Sequence, residues 1–229
     1  MQITSVSVRV RNTREAGEFY AGVLGLDIAQ RSNGVVVTLG TTRLELVEDP
    51  AAAGDHHFAI TIPSNKFHKA KTWIQQRTVL LGTPEADEFE CSPAWNAHSL
   101  YFAGPERSVW EFIIRRDLDN STAGPFTSAD LLGISEVGVA VADVPAVVAT
   151  LTDDAKIAPY GDAQGNTFAP VGDADGMLIL VAPGRTWFPT ADCTAKESPV
   201  NITAIRGRPG TYPLGALGSL LFLLQESPG

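Results

Sequence analysis

The fold is decided by residues 3–26, which read ITSVSVRVRNTREAGEFYAGVLGL. Residues 3–10 alternate apolar and polar side chains, which is the period of a half-buried β-strand. Asn12 then offers a helix cap with Glu15 three residues further on. Apolar side chains recur on one helical face until Gly25 ends the pattern. These residues therefore predict one strand followed directly by one amphipathic helix.

Three short strands are predicted after this helix. They are expected at residues 27–31, 35–39 and 43–47, and the Asn-Gly and Gly-Thr pairs at 33–34 and 40–41 supply the turns between them. The segment as a whole therefore predicts a βαβββ unit.

The βαβββ pattern recurs along the chain. A second unit starts with a strand at 57–62 and a helix that Ser64 can cap, and three further strands follow. A third starts with a strand at 134–141 and a helix capped by Asp143. In a fourth copy, glycines and prolines at 207–213 occupy the place of the helix, and helices avoid that mixture.

The repeats predict an α+β fold of tandem βαβββ units in two domains. The polar segment 117–132 reads as a linker, because it contains Asp119-Asn120-Ser121 and Gly124-Pro125. We expect a first domain at 1–116, holding units one and two, and a shorter, irregular second domain at 133–229. The pairing of units stays open, since unit two can pair with unit one, or with unit three while unit one pairs with unit four.

Composition limits the classes of function. The 229 residues carry a formal net charge of -9, and 44% of them are hydrophobic, which is typical of a globular protein. An acidic chain without a basic cluster is a poor candidate for binding nucleic acid or an anionic membrane surface. The sequence shows no signal-peptide pattern and no apolar run of the roughly 18 residues that span a membrane. We expect a cytoplasmic monomer or homodimer whose partner is a small molecule.

Two motifs resemble those of a known superfamily. Residues 19–26, FYAGVLGL, and residues 99–112, which include SLYFAGPE and WEF, are similar to signatures of the vicinal-oxygen-chelate superfamily of glyoxalases, extradiol dioxygenases and bleomycin-resistance proteins. The similarity covers residues 3–115, and residues 172–190 resemble a two-domain branch of the same superfamily. The motifs imply two glyoxalase-like domains but no particular reaction, because the superfamily hosts many chemistries and some simple binding.

The resemblance also implies a divalent metal site, formed by the first and last strands of the paired units. The metal, which could be zinc, nickel, manganese or iron, would polarise two adjacent substrate oxygens. The matching positions hold His57, Glu111, Glu45 and Glu136, whereas Ser5 stands at a usual histidine position. His57 and Glu111 belong to the site in either pairing of the units. Glu45 completes the set if units one and two pair, and Glu136 completes it if units two and three pair.

Strand periodicity supports two of these positions independently. Glu45 and Glu111 each interrupt an otherwise apolar strand, so alternation turns them away from the face of their neighbours. An ordinary half-buried acid, paired for example with Arg43, explains the same pattern. Trp95 and His98 precede a strand and are candidates for the wall of a substrate pocket.

Three functions remain open on the sequence. The first is a metal-dependent enzyme of the glyoxalase/dioxygenase type, a lyase, isomerase or oxidoreductase, in which Glu111 moves a proton on a small substrate with adjacent oxygens. The alternative is a metal-free protein that binds a small molecule in the cup that paired units form in the superfamily it resembles, and Ser5 favours it. The third is a relative without a small ligand. Trp187 and Phe188 could close over the cup, although packing against the second domain is the favoured interpretation.

Overall fold

The computed structural model describes residues 1–162, 164–215 and 217–226. The strands are β1 (Gln2–Val10), β2 (Ile28–Arg31), β3 (Gly34–Leu39), β4 (Thr42–Glu48), β5 (His57–Thr61), β6 (Leu80–Leu81), β7 (Phe89–Glu90), β8 (Ala97–Ala103), β9 (Val109–Arg115), β10 (Gly133–Ala140), β11 (Phe168–Asp173), β12 (Gly176–Val181), β13 (Val200–Ile205), β14 (Gly210–Pro213) and β15 (Leu220–Leu223). The helices are α1 (Thr13–Gly22), α2 (Phe67–Gln75) and α3 (Val144–Asp153). Among the described residues, no helix is long and apolar enough to cross a membrane.

Two sheets organise these strands. The first has seven strands in the order β14-β15-β13-β1-β4-β3-β2, and the second has the order β11-β12-β10-β5-β9-β8-β6, with β7 pairing to β8. Within each unit the first and last strands are parallel neighbours, as in β1 with β4 and β5 with β9. The predicted α+β fold of βαβββ units is confirmed.

The units pair in a nested order. Antiparallel β5 and β10 join units two and three, while antiparallel β1 and β13 join units one and four. Each sheet therefore takes strands from both sides of residues 117–132, and the expected division at 1–116 and 133–229 does not describe the strand pairing. An apolar pattern decides which face of a strand is buried, but it does not choose the neighbouring strand, because every strand edge presents the same backbone groups.

Local signals position most of the helices. The Asn12 side chain accepts a hydrogen bond from the Glu15 amide at 3.1 Å at the start of α1, and Asp143 caps α3 in the same way. The expected cap Ser64 lies before the start of α2, and its amide donates instead to Asn120. In the fourth unit the short strand β14 stands where the other units have a helix.

The helix-bearing faces of the two sheets share one apolar core. Tyr20 of α1 packs edge-on against Trp110 of β9, with ring centroids 5.7 Å apart. The connection 117–132 is fastened to this body, because buried Asp130 pairs with buried Lys66 at 2.7 Å. The opposite face of the second sheet forms a cup. It packs against residues 182–199, which we call the strap.

Candidate metal centre

Three polar side chains meet on the cup face of the second sheet. They come from adjacent strands, since β5 lies between β10 and β9. Ala59 of β5 is paired with Glu111 on one side and with Glu136 on the other. The small alanine side chain leaves the space between the two carboxylates open. His57 lies two residues before Ala59, and strand alternation therefore places it on the same face.

A β-bulge directs Glu136 into the cup. Ile134 pairs with Ile60, whose side chain lies in the core, and regular alternation from Ile134 would return Glu136 to that core face. The register shifts between Ile134 and Glu136, so Ser135 is the extra residue and Glu136 pairs with Ala59. Bulges re-aim side chains in this way beside functional sites.

The three side chains are buried and close together. One ligand atom from each of His57, Glu111 and Glu136 lies within 4.8 Å of the others. His57 Nε2 is 3.7 Å from Glu111 Oε2, and His57 Nδ1 is 3.2 Å from the carbonyl oxygen of Val109. A carbonyl only accepts hydrogen bonds, so Nδ1 carries the proton and donates, and Nε2 presents its lone pair to the cup.

Burial controls the charges of the histidine and of Glu111. Desolvation lowers the pKa of His57 to about 4, which keeps the imidazole neutral near pH 7. Burial, and then the neighbouring Glu136 charge, raise the pKa of Glu111 well above its ordinary value, although Ser99, Arg115 and Tyr101 oppose the rise. Without a cation beside it, Glu111 therefore tends to keep its proton.

Arg115 lies beside the cluster and was missed in the sequence. Its side chain is fully buried, and it donates to Glu136 Oε1 and, at 3.1 Å, to Ser135 Oγ. Burial raises the pKa of Glu136, and the Arg115 guanidinium opposes this rise. Strand alternation offered a signal for Arg115, because Glu111, Ile113 and Arg115 share one face of β9.

The residues present fit a divalent cation. One imidazole nitrogen and two carboxylates are the donors that zinc, manganese, iron and nickel accept in proteins. Three protein ligands leave coordination positions for a substrate. The hydrogen bond from His57 Nδ1 to Val109 is the outer contact that orients a ligating histidine. Ile179, on the last strand of the third unit, supplies no fourth ligand.

A cavity of about 430 Å³ opens above the three side chains. Its walls are aromatic and include Trp95, Tyr101, Phe168, Trp187 and Phe188. Trp187 stacks on His57 with ring centroids 5.2 Å apart, and its indole N–H donates to the carbonyl oxygen of Asp55 at 2.7 Å.

Gly138 makes room for this stacking. A Cβ at this position would lie 2.6 Å from the Trp187 ring and 3.0 Å from His57 Cβ. The strap thus covers the cup, where the sequence had favoured packing of Trp187 and Phe188 elsewhere.

Two residues proposed from the sequence lie outside the cluster. Glu45 belongs to the first sheet, where its half-exposed carboxylate contacts Arg43 at 3.2 Å. His98 points to the helix side of the second sheet and stacks on Phe67 with centroids 3.9 Å apart. Trp95, in contrast, lines the cavity. The nested pairing explains why Glu45 lies far from the cluster, because units one and two contribute to different sheets.

The first sheet forms no corresponding cluster among the residues that the structure describes. The positions that match Glu136, His57 and Glu111 by strand register hold Ser5, Asn201 and Phe222. Glu45 matches Ile179 in this comparison, because Glu45 pairs with Ser7 and Ile179 with Gly138. Each sheet therefore carries side chains that the other lacks, and only the second combines a histidine with two acids.

Comparisons with known proteins agree with this architecture. The model of the glyoxalase/bleomycin resistance protein/dioxygenase superfamily matches residues 2–181. A solved structure from Bacillus subtilis, named as a putative dioxygenase, is 14% identical with a TM-score of 0.64, over 100% of this chain and 86% of that one. A glyoxalase I mutant from Zea mays is 14% identical with a TM-score of 0.55, over 88% of this chain and 74% of that one. No curated protein matches the chain.

Proposed function

Because this chain belongs to the glyoxalase/bleomycin resistance protein/dioxygenase superfamily, we propose that it is a metal-dependent enzyme acting on a small substrate with adjacent oxygens. The observation that carries the proposal is the convergence of His57, Glu111 and Glu136 within 4.8 Å on the floor of a cavity. Perturbed, buried acids at the base of a cleft are typical of catalytic sites.

Each residue has a defined part in this proposal. His57 Nε2 and one oxygen each of Glu111 and Glu136 would hold the cation. When bound, the metal supplies Lewis-acid stabilisation of negative charge on substrate oxygen. Arg115 would hold Glu136 in place through its hydrogen bond to the carboxylate. Glu111 also faces the cavity, so it is our candidate for moving a proton on the substrate.

A metal-free binding protein is the second candidate. The observation that favours it is the charge balance of the site: Arg115 already neutralises Glu136, and burial favours a proton on Glu111. The aromatic walls above the floor would then bind a planar apolar compound without any cation.

Metal analysis separates the two candidates. The wild type would be purified without a histidine tag, and its metal content and calorimetric affinity for zinc, nickel, manganese and ferrous iron compared with those of His57→Ala and Glu111→Gln. Glu111→Gln mimics the protonated acid, so its fold should survive while a ligand is lost. Glu45→Gln, in the first sheet, is the matched control.

The enzyme proposal expects near-stoichiometric metal in the wild type and in Glu45→Gln, with loss in both site variants. Absence of metal from the wild type after incubation with all four ions would overturn it and leave the binding function. Metal retained by Glu111→Gln and His57→Ala at wild-type affinity would place the ion elsewhere.

A further inference from the structure

The acidic and basic groups of the cavity lining lie apart along β12, because Glu136 pairs with Met177, whereas Phe168, on whose ring Arg185 lies, pairs with Val181 four residues further on. The floor of the cavity carries His57, Glu111 and Glu136, whereas Arg185 lies among the lining residues contributed by the strap. The Arg185 guanidinium carbon lies 5.0 Å from the centroid of the Phe168 ring, which itself lines the cavity. An arginine on an aromatic face keeps its planar edge free for hydrogen bonds to another group.

No protein acid neutralises Arg185 among the described residues, since none lies within 4.0 Å of its guanidinium. The other acid of the lining, Asp162, accepts a hydrogen bond from Ser92 at 3.1 Å. The backbone of Arg185 is held on both sides, because its amide donates to Ala182 at 3.2 Å and its carbonyl accepts from Ala195 at 2.8 Å. The cation is thus presented to the cavity by an ordered segment.

The aromatic walls of the cavity suit a flat, apolar ligand. Five aromatic side chains line a space of about 430 Å³, within the range of sites for small organic ligands. Phe188 is 51% exposed, and its ring meets Tyr101 edge-on at a centroid distance of 5.4 Å. A cavity that has aromatic walls and an arginine without an acid partner is suited to a ligand that is aromatic and anionic.

We propose that the cavity takes a planar aromatic acid, whose ring lies between the aromatic walls and whose anionic group pairs with Arg185. Where it is a substrate, its adjacent oxygens face the three-residue floor, and this orientation rests on the proposed function. Arg185 then determines specificity, because it selects anionic ligands over neutral ligands of the same shape.

Two isosteric probes test the inference: 2-naphthoate, which is anionic, and 2-naphthamide, which is neutral. Both would be titrated calorimetrically into wild type, Arg185→Gln and Arg185→Lys in the presence of a chelator, so that no metal can hold the carboxylate. The exposed arginine of α1 provides the matched control, Arg14→Gln.

The wild type and Arg14→Gln should bind naphthoate about fivefold to tenfold more tightly than naphthamide, as expected for one charge-assisted contact. Arg185→Gln should lose this preference while its naphthamide affinity stays unchanged, and Arg185→Lys should keep part of it. Equal affinities for the two probes in the wild type, a full preference in Arg185→Gln, or binding of neither probe would overturn the inference. None of these outcomes bears on the metal titration, so failure of this inference and failure of the proposed function can be told apart.

Discussion

The buried pair formed by Arg115 and Glu136 gives the sharpest test of how the site is built. Arg115 is completely inaccessible, and the side chain of Glu136 is 4% exposed. The guanidinium donates to Glu136 and Ser135, and its Nε has no hydrogen-bond partner. Removing either charge leaves the other in an interior where water cannot compensate it.

The expected loss is large for one substitution. Breaking a buried ion pair by removing one partner costs about 3–5 kcal/mol in the free energy of unfolding. In a protein of this length, 1 kcal/mol corresponds to roughly 2–4 °C in Tm, so Arg115→Met should lower Tm by about 6–20 °C. Glu136→Gln should lower Tm by an amount near the lower end of this range, because the amide oxygen can still accept a hydrogen bond from Arg115. The double variant Arg115→Met/Glu136→Gln should lose clearly less stability than the two single variants together, because no unpaired charge remains.

Urea unfolding with chelator present, followed by both tryptophan fluorescence and circular dichroism, would measure the free energies of unfolding of the wild type, the two single variants and the double variant. Arg43→Met, Glu45→Gln and their double variant form the matched control, since this pair is half-exposed and exposed pairs contribute little. Losses below about 1 kcal/mol in the Arg115 and Glu136 single variants, or strictly additive losses in the double variant, would refute the argument that this pair is buried and coupled.

Three further outcomes are expected. Burial raises the pKa of Glu111, so the stability that its proton provides is complete below the ordinary glutamate range and is lost as pH rises through the raised pKa. With chelator present, the free energy of unfolding of the wild type should therefore fall relative to that of Glu111→Gln from about pH 4.5 upward. A difference between the two proteins that does not change with pH would contradict this. Burial raises the pKa of Cys91 and of Cys193 to about 11, so both thiols should react with iodoacetamide at pH 7.5 about 100-fold more slowly than an unperturbed thiol. Mass spectrometry would measure the labelling, and rapid labelling of either cysteine would contradict this expectation. Trp187→Phe removes the hydrogen bond to the Asp55 carbonyl and should cost about 1–3 kcal/mol in urea unfolding, whereas unchanged stability would show that this bond does not hold the strap.

Much of the fold could be predicted because its signals are local. Alternation, capping residues and turn residues lie within a few positions of each other, so the βαβββ units are visible in the sequence. The choice between Glu45 and Glu136 is not local. It depends on which edge of β5 pairs with β10 and on the bulge at Ser135, and a one-residue change of register would turn Glu136 to the opposite face.

Two further parts of the site differ in how well the sequence reveals them. Arg115 could have been found, because strand alternation places Glu111, Ile113 and Arg115 on the same face of β9. Beside Arg116 it instead reads as the charged end of a strand. The position of Trp187 had no such signal, since the strap has neither a helical nor a strand period, and its contacts with Asp55 and His57 are set by tertiary packing alone.

The nested pairing of units also imposes an order of assembly on a chain made from its N-terminus. The second sheet needs only residues 57–181, one contiguous stretch, so the side chains of His57, Glu111 and Glu136 can meet before β13, β14 and β15 have been synthesised. β1 is made first, yet one of its edges has no partner until β13 emerges. An open edge can pair with another chain. The sheet most exposed to misassembly on the ribosome is therefore the one without the candidate site.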